Sequence, residues 1–159
     1  MTERRGFSMK LAEALQIRAD IQTKIDRLKQ RLLNNVLKQD GVESAEDPQA
    51  LLSELDSALN ELENLIYRIN MTNANTITDS GNLTQLIAKK DVLKKKIQLY
   101  DAALNAASEI SPRYGASEIR IYPNIDIQVL RQKMNRFAKE HRELEFMIQE
   151  KNWTTDLID

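Results

Sequence analysis

The sequence predicts an all-α protein: an antiparallel bundle of four long helices with one short β-strand, at about residues 117–122, before the last helix. Three observations predict it. Gly stands only at 6, 41, 81 and 115 and Pro only at 48, 112 and 123. These residues weaken a helix interior by roughly 1 and 3 kcal/mol relative to Ala, so their clustering leaves four long uninterrupted segments. Within each segment Leu and Ile recur at three- and four-residue steps, an apolar stripe close to a coiled-coil seam. Helices of about 22–30 residues would be roughly 33–45 Å long, and short connections between such rods favour antiparallel neighbours.

The first segment, roughly residues 9–38, carries Leu11, Leu15, Ile21, Ile25, Leu28, Leu32 and Val36. The second follows Asp47-Pro48, a capping carboxylate before a proline at the first helical position, and carries Leu52, Leu55, Leu59, Leu62, Ile66 and Ile69. The third opens on Asn82 and Gln85, spaced as a capping box, and carries Leu83, Leu86, Ile87, Leu93, Ile97, Tyr100 and Leu104. The fourth is capped by Asp126, with Ile125 and Leu130 at staple positions, and carries Ile127, Leu130, Met134, Phe137, His141, Leu144 and Ile148. Between the third and fourth, "SEIRIYPNIDI" alternates apolar and polar residues and stops at Pro123, which reads as a strand over 117–122. A lone strand leaves half its backbone groups unpaired, so a partner is expected from "ISPRYGA" or from a second subunit. Residues 1–8 read as an N-terminal extension, with Met9 a second candidate start, and 9–159 as one helical domain.

Composition excludes several function classes. The 159 residues carry 23 basic and 24 acidic side chains, net −1, which speaks against a nucleic-acid partner. With no cysteine there is no disulfide, thiolate nucleophile or zinc–thiolate site, in keeping with a reducing, cytoplasmic setting. No apolar run reaches the length of a membrane span and the N-terminus lacks an apolar leader, so no membrane role is expected. No phosphate loop, dinucleotide fingerprint or Ser/His/Asp order is present, and no cofactor is implied.

The richest polar stretch is "INMTNANTITDSGNLT", residues 69–84. Small polar side chains there suit two helix ends; alternatively Asn70, Thr72, Asn73 and Thr76 converge on a small ligand, whose neutral oxygens and amides bind more readily than they catalyse. Arg18 and Lys90 interrupt apolar stripes and need partners, for which Asp20, Asp91 and Glu145 are candidates. The candidate ligand set is thus Arg18, Asp20, Asn70, Thr72, Asn73 and Asp91. His141, the only histidine, with Glu145 one turn on, is a two-ligand metal candidate, short of the three or four that zinc takes. "AKKDVLKKK", 88–96, is basic but diluted by Asp91 and reads as a solvated face. Trp153, beside Leu157 and Ile158, is expected to pin the C-terminal tail.

The strings "MKLAEALQIRADIQ", "EDPQALLSEL", "LIYRINMTNANT", "RYGASEIRIYPNIDI" and "HRELEFMIQEKNWTTDL" together resemble a family of small bacterial helical proteins often labelled septicolysin. The resemblance spans residues 9–158 and implies recurring positions at Arg18, Asp20, Asn70, Thr72, Asn73, Glu118 and Trp153. It implies an all-α homo-oligomer, a dimer or a hexamer built from dimers, and no established activity. The pore-forming, thiol-activated cytolysin the label suggests is contradicted by the residues. Two functions are therefore expected in competition: a soluble, self-associating scaffold or interaction protein, and a small-ligand or metal-binding protein, or an enzyme, with a polar pocket at a helix junction or subunit interface.

Overall fold

The structure, a computed structural model, describes residues 8–108 and 122–159. In chain order the elements are α1 (Leu11–Asn35), α2 (Pro48–Asn75), the two-residue strands β1 (Ile77–Thr78) and β2 (Gly81–Asn82), α3 (Leu83–Ser108) and α4 (Ile127–Thr154). The described chain is therefore mostly helical, and the four expected segments all form helices. The strand expected at 117–122 lies outside the described residues except for Tyr122, which has no regular structure. A β1–β2 hairpin stands where a plain connection was expected. The chain divides into two compact units: residues up to Ile77 together with Lys151–Asp159, and Thr78–Glu150.

In the first unit α1 and α2 run antiparallel. Leu28 of α1 packs with Leu51 and Leu55 of α2, flanked by Ile25 and Leu32. The ion pairs Lys24–Glu54 at 3.5 Å and Arg31–Glu46 hold the same register. On α1 the buried positions Ala14, Ile21, Leu28 and Asn35 are seven residues apart, and Leu11 lies one turn before them. Asn35 is the polar member: its amide donates to the Arg31 carbonyl at 2.8 Å and its oxygen accepts from the Glu46 N–H at 3.1 Å, so the buried group is satisfied where the chain turns. Asp47 caps α2 as expected, accepting from the Gln49 N–H.

The α2 seam is rotated from the expected stripe. Leu55 and Ile69 are buried, but so are Leu51, Ala58, Leu65 and Thr72, whereas Leu52, Leu59 and Ile66 lie exposed. A 3-4 stripe names two adjacent ridges without saying which one faces the neighbour. Here the helix presents positions 51, 58, 65 and 72 on one side of Leu55 and Ile69, and leaves 52, 59 and 66 outside. Each leucine buried in the seam contributes about 1.5–3 kcal/mol relative to exposure.

In the second unit α3 buries Leu83, Leu86, Leu93 and Leu104, with Lys90, Ile97 and Tyr100 half-buried at the same spacing. From α4 come Leu130, Leu144 and Ile148, buried, with Met134, Phe137 and His141 half-buried. The two helices meet edge-to-face through Tyr100 and Phe137, ring centroids 5.2 Å apart at 87°, and Lys96 Nζ lies 5.2 Å from the Phe137 centroid. Lys89 pairs with Glu140 at 2.7 Å. Asp126 caps α4 through the N–H groups of Gln128 and Val129.

The start of α3 is the expected capping box: the Gln85 N–H donates to Asn82 Oδ1 and the Asn82 N–H to Gln85 Oε1, both 2.9 Å. Gly81, just before it, has φ +118°, which side chains rarely adopt, and a Cβ there would collide with the Gln85 carboxamide. Gly81→Ala is expected to destabilise the protein by at least about 1 kcal/mol in urea unfolding. Because the backbone angle is itself strained, adding Gln85→Ala is not expected to restore the loss.

Candidate functional site

The polar stretch from 69 folds differently from a loop. α2 continues to Asn75, which places Asn70, Thr72 and Asn73 on different sides of a helix: Asn70 is exposed, Asn73 half-buried and Thr72 buried. Thr72 Oγ1 donates to the Arg68 carbonyl at 2.7 Å, as a threonine within a helix often does, and accepts the Ile158 N–H at 3.0 Å. The hydroxyl thus holds the protein's own C-terminal tail. Arg68 adds Nε to the Ile158 carbonyl at 2.8 Å and an ion pair to Asp159 at 3.1 Å.

The other side of the tail is tied to the start of α1. The Leu157 N–H donates to the Met9 carbonyl at 2.8 Å and the Leu11 N–H to the Thr155 carbonyl at 2.9 Å, around an antiparallel bridge between Lys10 and Asp156. Lys10 Nζ lies 2.6 Å from Asp156. Hydrogen bonds from Lys10 and then Ser8 hold the Asp156 carboxyl below its ordinary range. Leu157 is buried beneath this clasp, whereas Trp153, the residue expected to pin the tail, is 68% exposed. Lys10, Arg68 and Asp156 were not singled out by sequence reasoning. Their partners lie 90 or more residues away in the chain, and nothing local marks such a contact.

The remaining candidates are spread over three helices, α1, α3 and α4. Arg18 is half-buried on α1 at a seam position, and Asp20 is exposed and accepts from Gln16 Nε2 at 3.0 Å. Asp20, Lys24, Arg27, Arg31 and Glu54 border an open recess of about 390 Å³ on the α1–α2 pair. Asp91 is exposed on α3, and His141 and Glu145 are half-buried on α4 with no hydrogen bond between them. Among the described residues no three His, Asp or Glu side chains are placed to hold a metal ion. Glu118 lies outside the described residues.

What the first unit does present is a ridge. Leu52, Leu59 and Ile66 recur every seven residues along the outer shoulder of α2 and are 36–47% exposed. On α3, Val92 and Leu99 are spaced the same way and are 52% and 69% exposed. Single exposed leucines are ordinary; here they recur in a row at helical spacing. Among the described residues no helix is long and apolar enough to cross a membrane.

Fold and surface together define a helical protein without a recognisable catalytic or metal constellation among its described residues. The chain belongs to a family of unknown function (DUF6847), whose model matches residues 18–157. It is also similar to a functionally unknown conserved protein from Corynebacterium diphtheriae, known from a crystal structure, at 35% identity and TM-score 0.88, over 95% of this chain and 99% of that one. No curated protein matches. These findings overturn the resemblance to septicolysin: neither match points to it. Most of the strings that suggested it, among them "MKLAEALQIRADIQ", "EDPQALLSEL" and "LIYRINMTNANT", are made of stripe leucines and isoleucines, an Asp-Pro cap and polar helix-end residues, which many long amphipathic helices require.

Because Asp156 binds its proton less readily folded than unfolded, it contributes stability above the ordinary carboxylate pKa of about 3.9, and that contribution is lost as pH falls through its lower folded value. Acidification below about pH 4 is therefore expected to loosen the clasp. The Leu157 amide resonance, followed by NMR against pH, checks this: it should titrate in the parent protein and lose that step in Asp156→Asn.

Proposed function

We propose that this is a soluble, cytoplasmic, self-associating helical protein that acts as a scaffold or interaction module. The reading takes residues 9–159 as one domain, an antiparallel bundle of four helices joined to further copies of itself. The observation that carries it is the seven-residue repeat of Leu52, Leu59 and Ile66, left in solvent on a helix whose opposite shoulder is already filled by α1. A ridge of this length, about 21 Å from its first to its last side chain, matches a helix-to-helix seam and not a small-molecule pocket. The residues offered for a ligand support the same preference: Thr72 is occupied by the tail, and Asn70 and Asp91 stand in solvent.

Size-exclusion chromatography with light scattering is the test. At micromolar concentration the parent chain is expected to have a mass above that of one copy, and a stable monomer would overturn the reading. Leu59→Glu, which would bury an unpaired carboxylate in the seam, is expected to raise the dissociation constant at least about tenfold while leaving helical circular dichroism unchanged.

A further inference from the structure

We infer that the partner of the α2 ridge is the α3 ridge of a second copy of this chain. The inference rests on the self-association reading and names the two surfaces that meet.

Both ridges have the same period. Val92 and Leu99 are continued by Ala106, exposed and again seven residues on, so the row at 92, 99 and 106 matches the row at 52, 59 and 66 in length and spacing. Their borders have opposite charge. Asp56 and Glu63, four residues after Leu52 and Leu59, flank the α2 ridge on its solvent side, and neither makes an ion pair among the described residues. Lys95 and Lys96, three and four residues after Val92, flank the α3 ridge, with Lys89 on the preceding turn. Lys89 is drawn to Glu140 and Lys96 to the Phe137 ring, whereas Lys95 is exposed and makes no ion pair among the described residues.

This distribution selects among the possible pairings. Two α2 ridges face to face would set Asp56 and Glu63 against the same carboxylates, and two α3 ridges would set lysines against lysines. Only the crossed pairing sets the acidic border of one ridge against the lysines of the other, the way flanking charges choose partners in coiled coils. The basic run 88–96 thereby gains a role that an isolated solvated face does not have: it selects the acidic helix of the neighbouring molecule.

Charge reversal tests the pairing on the full-length chain, with circular dichroism and urea unfolding confirming that each variant folds as the parent does. Glu63→Lys and Lys95→Glu are each expected to weaken association about tenfold by sedimentation velocity, and the double variant to return to within about threefold of the parent. Association of the parent is expected to weaken as salt rises from 50 to 500 mM, because border charges are screened. If the parent associates but the single reversals leave its mass unchanged, or the double variant is weaker than both, the crossed pairing is wrong and self-association stands. A parent that is monomeric throughout would overturn both.

Discussion

Burial of the Leu28, Leu51 and Leu55 cluster between α1 and α2 is the interaction on which the rest of the first unit depends. It fixes which way α2 is turned. Once Leu51 and Leu55 point at α1, helix geometry assigns the rest of α2 its place: Ala58, Leu65 and Ile69 to the buried side, Thr72 to the same line one turn from the helix end, and Leu52, Leu59 and Ile66 to solvent. The tail clasp and the outer ridge are therefore two consequences of one rotation. Thr72 meets Ile158 because it lies on the seam line, and the ridge is bare because it lies off it.

The clasp shows how the ends of long helices are satisfied. The first N–H groups of a helix and the last carbonyls lack partners within it. Residues 155–158 supply backbone partners beside the start of α1, and Thr72 and Arg68 bind the tail's other edge. Charged pairs at its surface contribute little by themselves. The buried Leu157 and the backbone bonds around it carry the attachment, and the Lys10–Asp156 pair makes it sensitive to acid.

Much of this fold was legible in the sequence. Asp47-Pro48, Asn82 with Gln85, and Asp126 act as the caps that their spacing implies, since a cap depends on residues within one turn of each other. The end of α2 was less legible. Asn70 to Asn75 read as turn chemistry because Asn and Thr favour caps and loops, yet the helix runs on to Asn75, with Thr72 in tertiary contact with Ile158 and Thr72, Asn75 and Thr76 bonding back to the carbonyls four residues before them. The rotation of the seam was hidden as well, because a 3-4 stripe of leucines describes two ridges equally. The candidate site rests on a different kind of signal from the fold: Arg18, Asp20, Asn70, Thr72, Asn73 and Asp91 are polar residues at special positions, and one-dimensional spacing does not record which residues meet in space. Lys10, Arg68 and Asp156, which hold the tail from its two sides, are ordinary polar residues in the sequence.

The division of α2 into a structural and an outward ridge can be measured by comparing Leu55→Ala with Leu59→Ala in urea unfolding, at a concentration where both variants have the same mass. Leu55 is expected to cost about 2–5 kcal/mol, as truncation of a buried leucine does, and Leu59 less than about 1 kcal/mol. Equal losses at the two positions, or a larger loss at Leu59, would contradict the placement of the seam and with it the account of the surface that the seam leaves exposed.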